Sequence, residues 1–253
     1  MWSHAGGSPW IALAEYVGRP KLRLFCLPYA GGGAVVYRGW PREFPSTIDV
    51  RAVRLPGREQ RSAEPAWTNL GHVAAALAKA LLPLLDQPFA FFGHSMGAAI
   101  AYETARVLAR DHGRIASGFM ASACRAPHLA SSKPWLHRLP DRQLLDELGR
   151  LGGTAPSVLQ NIELMQLVLP TLRADLQLVE TYVAAEPSSL QCPVVAFGGL
   201  RDVDVGRDEL EAWRRISNGD FRLHLIEGDH FFVNSEREQL ISLAVSEVER
   251  WIA

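Results

Sequence analysis

A serine lies at the centre of Gly93-His94-Ser95-Met96-Gly97, between a short apolar run and an alanine-rich stretch. The apolar run, residues 89–92, predicts a buried strand, and residues 98–105 predict a helix. Glycines on both sides of the serine permit a turn that is too tight for larger side chains, and they leave the serine at a helix N-terminus. A strand, this turn and a helix together indicate a nucleophile elbow. Ser95 is therefore the predicted nucleophile, and its target would be a carbonyl group.

A serine hydroxyl at neutral pH needs a base within hydrogen-bond reach, and the base needs a third group to orient it. Of the eight histidines, His230 alone is predicted to lie between the last strand and the last helix, where α/β-hydrolases carry their base. The acid should follow the preceding strand, which predicts Asp202, directly after Gly198-Gly199-Leu200-Arg201. Asp204 is close enough in the chain to stay open as the alternative.

A glycine-rich loop, Pro28-Tyr29-Ala30-Gly31-Gly32-Gly33, follows the first predicted strand. A phosphate cradle is one interpretation, but Val36 stands where the third glycine of the dinucleotide-binding pattern belongs, and no Lys-Ser/Thr pair follows. In a hydrolase with an elbow, a backbone N–H of such a loop forms half of an oxyanion hole. The predicted oxyanion donors are the N–H groups of Ala30 and of Met96, the residue after the nucleophile.

Predicted strands and helices alternate along most of the chain, which favours an α/β fold with a mostly parallel central sheet and helices on both faces. Residues 1–19 are expected to form a loose arm with an apolar patch at Trp10-Ile11. Strand-like runs vanish in residues 127–190, where apolar stripes at helical spacing predict three helical segments. The second stripe is Val158, Ile162, Met165 and Leu169, and the third begins at Leu172. We expect residues 1–126 and 191–253 to form the core and residues 127–190 to form a helical lid insertion.

The composition is that of an ordinary globular protein, with 48% hydrophobic and 21% charged residues in a chain of 253. A net charge of -1 argues against nucleic acid or an anionic membrane as a partner. Three cysteines at irregular spacing form no disulfide framework, and no signal peptide or membrane-spanning stretch is evident, so we expect a cytoplasmic protein. No His-Glu-x-x-His or clustered Cys/His pattern occurs, so we expect neither a metal nor a cofactor.

Several longer motifs occur together in one order, and with them the chain resembles the type II thioesterases, the discrete editing hydrolases of polyketide and nonribosomal peptide synthesis. These motifs are Leu27-Pro28-Tyr29-Ala30-Gly31-Gly32-Gly33, Leu55-Pro56-Gly57-Arg58-Glu59, the elbow, Leu151-Gly152-Gly153-Thr154, Leu169-Pro170-Thr171-Leu172-Arg173-Ala174-Asp175 and Gly228-Asp229-His230-Phe231-Phe232. The resemblance implies an α/β-hydrolase fold with a helical lid. It also implies hydrolysis of acyl thioesters from the phosphopantetheine arm of acyl or peptidyl carrier proteins, which releases stalled or mis-primed synthases.

Carried onto this chain, the resemblance implies Ser95 as nucleophile, His230 as base and Asp202 as the orienting acid. One departure is that Val203-Asp204 follows Asp202, where family members often have a proline, so Asp204 remains open. Carrier proteins are commonly acidic around the pantetheine attachment, and basic residues near the loops could therefore form a docking rim. The candidates are Arg54, Arg58, Arg61, Arg125 and Lys133.

Three other functions are compatible with the same residues. A carboxylesterase or lipase would use the serine, histidine and aspartate on oxygen esters. A non-catalytic binding module on a hydrolase scaffold would leave them unused, although their presence in the expected order weakens that hypothesis. An acyltransferase or cyclase would pass the acyl group to a hydroxyl or amine, which is harder for a chain with no attached carrier domain.

Overall fold

The structure is a computed structural model that describes residues 8–12, 19–129, 134–153, 156–182, 184, 188–218 and 220–252. Lys133, one of the predicted docking residues, lies outside these ranges, as do Thr154 and most of the N-terminal arm.

The strands of the described residues are β1 (Ile11–Ala12), β2 (Leu22–Leu27), β3 (Ile48–Val53), β4 (Phe89–His94), β5 (Gly118–Ser122), β6 (Val194–Gly199) and β7 (Phe221–Ile226). Together they form a seven-stranded sheet in the order β1-β3-β2-β4-β5-β6-β7. Strands β2 to β7 pair in parallel, and β1 is antiparallel to β3 at the edge. The predicted mostly parallel sheet is confirmed.

Helices connect the parallel strands and cover both faces of the sheet. The α-helices are α1 (Trp40–Glu43), α2 (Leu70–Leu81), α3 (Met96–His112), α4 (Asp141–Leu151), α5 (Pro156–Leu159), α6 (Ile162–Glu180), α7 (Arg207–Glu211), α8 (Phe232–Ser235) and α9 (Arg237–Ile252). Short 3₁₀ turns add Ala34–Tyr37, Glu59–Arg61, Leu82–Leu84, Leu136–Arg138 and Ala212–Arg215. The alternation that the sequence predicts, with its α/β fold class, is confirmed.

Strand β4 is apolar along its length because both faces of the sheet are buried there. Successive side chains of a strand point to opposite faces. Accordingly Phe89 and Phe91 pack into the core beneath α2 and α3, whereas Ala90 and Phe92 pack into the core beneath α9. Two cores thus sandwich the strand that leads to the elbow and hold its end in place.

The N-terminal arm differs from the expectation of a loose segment. Residues Ile11 and Ala12 pair with Val53 and Ala52 on the outer edge of β3. The Trp10 side chain is buried, and the Arg61 guanidinium lies 4.3 Å above its ring. The expectation was wrong for residues 8–12. The unpaired backbone groups on the edge of β3 bind this segment, and that edge exists only once the sheet has formed.

Between β5 and β6 the described chain is helical, as predicted, but the helices have different bounds. The second and third predicted segments are largely one helix, α6, which continues through Pro170. The second stripe is also divided: Ile162 is 72% exposed, whereas Met165 and Leu169 are buried with Leu144 and Leu172 in a small separate core. A proline removes one backbone donor and usually interrupts a helix, but here contacts with the rest of the fold retain the helical path.

Candidate active site

Ser95 lies between β4 and α3 in a conformation that few non-glycine residues adopt, with φ 52° and ψ −119°. The two flanking glycines permit this turn. A Cβ on Gly93 would lie 2.4 Å from the backbone of Ala98, and one on Gly97 would lie 2.2 Å from the carbonyl oxygen of Leu27. The prediction that this turn excludes larger side chains is confirmed. The strained backbone presents the Ser95 hydroxyl at the carboxyl edge of the sheet.

The structure brings the three predicted residues of the site together. Ser95 Oγ is 3.1 Å from His230 Nε2, and His230 Nδ1 is 2.8 Å from Asp202 Oδ2. His230 follows β7 and Asp202 follows β6, which are neighbouring parallel strands. A serine, an imidazole and a carboxylate in this order and at these distances can activate the hydroxyl as a nucleophile.

The Asp202 carboxylate is oriented by the backbone of its own loop. Its Oδ1 accepts hydrogen bonds from the N–H groups of Asp204, at 2.7 Å, and Val205, at 3.1 Å. Burial by itself would raise the pKa of Asp202, but the hydrogen bond to His230 and these two N–H groups together lower it below its ordinary value. Of the two carboxylates left open by the sequence, Asp202 is the one hydrogen-bonded to His230.

His94 is a part of the site that the sequence reasoning missed. Its Nε2 is 2.9 Å from the carbonyl oxygen of His230, and its Nδ1 is 2.8 Å from Ser122 Oγ. A carbonyl oxygen can only accept, so Nε2 carries the hydrogen and Nδ1 accepts from the serine hydroxyl. Burial, together with the nearby His230, lowers the pKa of His94 to about 3. A neutral His94 therefore tethers the backbone of the His230 loop to the end of β5.

The glycine-rich loop lies beside the elbow because β2 is the neighbour of β4, with Leu27 paired to Gly93. Neither the Ala30 nor the Met96 backbone N–H donates a hydrogen bond to another group in the described ranges. Both donors are thus available to a ligand beside Ser95. Their arrangement at the carboxyl ends of adjacent strands suits an oxyanion that forms on a carbonyl attacked by this serine.

The helical insert contacts both loops of the site. The turn after α4 packs against the histidine loop, since a Cβ on Gly153 would lie 2.4 Å from the Phe231 ring. Helix α6 packs against the glycine-rich loop, where Leu172 lies against Gly31. Two motifs of the insert that the resemblance singled out therefore touch the segments that carry His230 and Ala30.

The structure corrects the docking rim predicted from the arginines of the loop after β3. Arg54 and Arg61 are only 4% and 6% exposed. The Arg54 guanidinium donates to Glu59, and that of Arg61 donates to Glu64. The Arg58 guanidinium donates to Asp175 and to the carbonyl oxygen of Gly32. All three arginines are therefore held by partners within the fold. Arg125 is the remaining described candidate, half-buried just beyond the end of β5. Buried, paired guanidinium groups cannot offer free charge to a partner, so Arg54, Arg58 and Arg61 are not a docking rim.

Among the described residues, no group of three or more His, Cys, Asp or Glu side chains is placed to hold a metal ion. In the same part of the chain, none of the helices combines the length and the hydropathy that crossing a bilayer requires.

The sheet order, the elbow and the joined serine, histidine and aspartate define a serine hydrolase with the α/β-hydrolase fold. The model of the thioesterase domain family matches residues 22–246, and the chain belongs to that family.

Individual proteins extend this similarity over nearly the whole chain. The gramicidin S biosynthesis protein GrsT of Aneurinibacillus migulanus is 39% identical over 244 residues, which are 96% of this chain and 95% of that protein. The structure of the type II thioesterase BorB from the borrelidin biosynthetic cluster matches with a TM-score of 0.86 and 32% sequence identity. The match covers 99% of this chain and 100% of the BorB chain. The resemblance to type II thioesterases is confirmed.

A further relative carries the name of a different activity. The linear gramicidin dehydrogenase LgrE of Brevibacillus parabrevis is 40% identical over 253 residues, covering 99% of this chain and 96% of that protein. In the chain described here, the glycine-rich loop is unsuited to a dinucleotide. The Gly31 N–H of this loop already donates to the Asp175 carboxylate, and the N–H of Val35, just after the loop, donates to Glu59, so neither N–H is free to bind a pyrophosphate.

Proposed function

We propose that this thioesterase hydrolyses acyl groups bound to the phosphopantetheine arm of acyl carrier or peptidyl carrier proteins, and so clears aberrant or stalled chains from polyketide and nonribosomal peptide synthases. The observation that carries the proposal is the hydrogen-bonded series Ser95, His230 and Asp202. Membership of the thioesterase family supports the thioester as the bond that is broken. The similarity to GrsT and BorB, whose names refer to biosynthetic pathways of this kind, supports the carrier-bound substrate.

In the first half of the reaction Ser95 Oγ attacks the thioester carbonyl carbon while His230 Nε2 takes the hydroxyl proton. Negative charge develops on the carbonyl oxygen, where we assign the N–H groups of Ala30 and Met96 as donors. Preorganised donors of this kind contribute about 10²–10³ each to the rate, because they meet the charge only as it forms. The carbon–sulfur bond then breaks, and the pantetheine sulfur leaves with the proton from His230.

In the second half, water attacks the acyl-serine ester. His230 now takes a proton from the water and returns it to Ser95 Oγ, which releases the carboxylic acid and restores the enzyme. Asp202 stays ionised throughout. Its role is to hold His230 Nδ1–H, so that Nε2 faces the serine, and to stabilise the imidazolium that forms in each half.

The helical insert, residues 127–190, is proposed as a lid over this site. Support comes from its contacts with the two loops that carry His230 and Ala30. A cover of this kind closes over the bound acyl chain and shields the reaction from bulk water. Arg125, next to the site at the end of β5, is the residue we propose for contact with an acidic carrier protein. Lys133 stays a prediction from the sequence.

The decisive experiment uses a panel of acyl-carrier proteins incubated with wild type and with Ser95→Ala, followed by mass spectrometry of the carrier. Wild type should convert acyl carrier to free holo-carrier, and Ser95→Ala should leave it acylated. Ser242→Ala, which alters an exposed serine on α9, is the matched control and should behave as wild type. Release of acyl groups by the Ser95 variant would refute the mechanism.

The same proteins distinguish the alternatives that use this serine differently. A higher kcat/KM on simple oxygen esters than on acyl-carrier thioesters would identify a carboxylesterase or lipase instead. A serine-directed fluorophosphonate that labels wild type but not Ser95→Ala would exclude the non-catalytic binding module.

We also propose that the protein works in the cytoplasm, where carrier-protein synthases are assembled. The support is chemical: Cys26, Cys124 and Cys192 are all free thiols, which is usual in a reducing compartment. Burial raises the pKa of Cys192 to about 12, so this thiol stays protonated and unreactive at neutral pH.

A further inference from the structure

A buried ion pair joins helix α6 of the insert to the loop after β3. Asp175 is 1% exposed. Its Oδ1 accepts from Arg58 Nη2 at 2.6 Å, and its Oδ2 accepts from Arg58 Nη1 at 2.8 Å. The desolvation of two buried charges offsets most of their attraction, so such a pair is weak evidence for a role in stability alone. Neither residue has a part in the mechanism given above, and both belong to motifs that the sequence singled out.

The pair is fastened to the glycine-rich loop at two points. Asp175 Oδ2 also accepts from the Gly31 backbone N–H at 2.8 Å, and Arg58 Nη1 also donates to the Gly32 carbonyl oxygen at 2.8 Å. Gly31 directly follows Ala30, whose N–H is the proposed oxyanion donor. Consecutive peptide planes share a Cα atom, so a fixed Gly31 N–H restricts the direction in which the Ala30 N–H can point.

Three consecutive glycines give this loop unusual conformational freedom, and Gly31 itself has φ +76°. A second carboxylate restrains the chain just beyond the loop, since Glu59 accepts from the Val35 N–H at 2.9 Å. Glu59 has a positive φ of 52°, the same value as Ser95. Such strain persists where the surroundings over-determine it, and it marks segments with a functional role.

We propose that Asp175 is a positioning residue for the oxyanion hole, acting through the Gly31 N–H, with Arg58 orienting its carboxylate. The proposal rests on the function proposed above, in which the Ala30 N–H receives the oxyanion. Asp175 lies on α6 beside Leu172, which packs against Gly31, and Thr171, which donates to the Gly57 carbonyl oxygen at 3.2 Å. The donor at Ala30 is therefore fully aligned only while this face of α6 is packed on the core.

The chemistry determines which kinetic constant should change. When Ser95 Oγ bonds to the carbonyl carbon, the π-electron pair moves to the carbonyl oxygen and His230 takes the serine proton. The oxygen is charged only after this step, so a misplaced Ala30 N–H destabilises the transition state and leaves the bound substrate unaffected. A displacement of about 1 Å can cost about 10²-fold in rate. We expect kcat to fall while KM remains nearly constant.

Two double variants isolate the Gly31 contact from the ion pair. Arg58→Met with Asp175→Asn removes both charges but keeps an amide oxygen for the Gly31 N–H. Arg58→Met with Asp175→Leu also removes both charges and keeps the side-chain size, but offers no acceptor. We expect kcat of the leucine double variant to be at least tenfold below that of the asparagine double variant, with KM values within about twofold.

The inhibition constant (Ki) of a trifluoromethyl ketone analogue of the acyl thioester separates a misplaced oxyanion donor from a general loss of rigidity in the fold. The ketone forms a hemiketal with Ser95 whose oxyanion occupies the hole, so its Ki should rise by the same factor by which kcat falls. A thioether analogue, which has no carbonyl group to attack, should bind both double variants equally. Equal kcat and equal ketone Ki in the two variants would overturn the proposal.

Two further variants cover the remaining outcomes. Asp141→Asn removes another ion pair of the insert, to Arg173 on α6, and should leave kcat and both inhibitor constants unchanged. If the double variants do not fold, Arg58→Lys keeps the charge and loses the bidentate contact. This variant should lower kcat severalfold, and an unchanged kcat and ketone Ki would again refute the role.

The two proposals fail separately. Turnover by Ser95→Ala contradicts the mechanism, whereas equal kcat values of the two double variants, with an inactive Ser95→Ala, contradict only the positioning role.

Discussion

At the scale of single residues, the buried carboxylate of Asp202 determines how the His230 imidazole is oriented. The Asp202 side chain is fully buried, at 0% exposure, and a bare carboxylate there would be costly. Two backbone N–H groups and His230 Nδ1–H meet it instead. The carboxylate therefore stays ionised and keeps His230 in the tautomer that can accept the Ser95 proton.

The first prediction concerns which carboxylate orients His230. Asp202→Asn presents an amide to Nδ1 and favours the wrong tautomer, so kcat on an acyl-carrier thioester should fall by about 10⁴. Asp204→Asn is the matched control, because it neutralises the neighbouring carboxylate and retains the Asp204 backbone N–H that donates to Asp202. Steady-state kinetics of both variants measure the difference. A larger loss in Asp204→Asn would assign the acid to that residue.

His94 makes stability depend on pH, with a sign that follows from its lowered pKa. In the folded protein it stays neutral down to a pH of about 3, whereas in the unfolded chain it takes a proton near the ordinary value of 6.5. Between these values the unfolded state binds more protons, so its contribution to the free energy of unfolding is lost as pH falls, by up to about 1.4 kcal/mol per pH unit.

The second prediction is that His94→Gln flattens this dependence. Glutamine cannot titrate, so urea unfolding at pH 7.0, 5.5 and 4.5 should give a shallower loss of stability for the variant than for wild type. The two proteins should therefore differ most at neutral pH. His72→Gln, at an exposed position on α2, controls for the removal of a histidine as such. Parallel curves for wild type and His94→Gln would contradict the assignment.

At the scale of elements, the elbow depends on how closely α3 approaches the end of β2. The first turn of α3 lies against the carbonyl oxygens of Leu27 and Pro28, with a glycine at the point of contact. This approach brings the N-terminus of α3, which follows Ser95, next to the start of the glycine-rich loop. The insert acts on the same loop from its other side, through Asp175.

The third prediction follows from that contact. In Gly97→Ala the added Cβ would lie 2.2 Å from the Leu27 oxygen and 2.8 Å from the Pro28 oxygen. Backbone atoms cannot move away cheaply, so we expect a loss of more than about 3 kcal/mol in the free energy of unfolding. Gly113→Ala at the end of α3 has a φ of +61° but open space around it, and should cost only about 1 kcal/mol. Chemical denaturation of both variants tests this, and equal losses would refute the steric argument.

At the scale of the whole molecule, the groups of the site meet at the carboxyl edge of the parallel sheet. Strand β2 leads to Ala30, β4 to Ser95, β6 to Asp202 and β7 to His230. Open α/β sheets bind their ligands at this edge, because the loops there project into one crevice. Arg125 follows β5 at the same edge, whereas Arg110, at the far end of α3, does not.

The fourth prediction tests where the carrier protein approaches. Arg125→Glu should raise KM for an acyl-carrier protein about tenfold at low salt, and the effect should shrink as salt screens it. KM for a small N-acetylcysteamine thioester with the same acyl group should not change. Arg110→Glu, exposed on α3 and paired with Asp111, is the control and should alter neither value. An equal effect of the two variants on the carrier protein would argue against docking at this edge.

The alternation of predicted strands and helices was sufficient to predict the fold class, and the order of chemistry-bearing residues predicted Ser95 and His230, with Asp202 favoured over Asp204 as the acid. The reason is local: an elbow needs its glycines, and loops after parallel strands meet at one edge whatever the details of packing. The edge strand at Ile11 and the continuation of α6 through Pro170 were not predictable in the same way. Each depends on a partner surface that exists only after folding.

The arginines show most clearly what tertiary structure decided. In the sequence, Arg54, Arg58 and Arg61 form a basic loop that fits a docking surface as well as an internal brace. The choice between them depends on acidic partners, and for Arg58 that partner is Asp175, 117 residues away along the chain. Sequence alone therefore determined the reacting groups, because their spacing along strands and turns encodes them. Only the folded chain decided how those groups are held, because long-range pairing of buried charges leaves no periodic signal in the sequence.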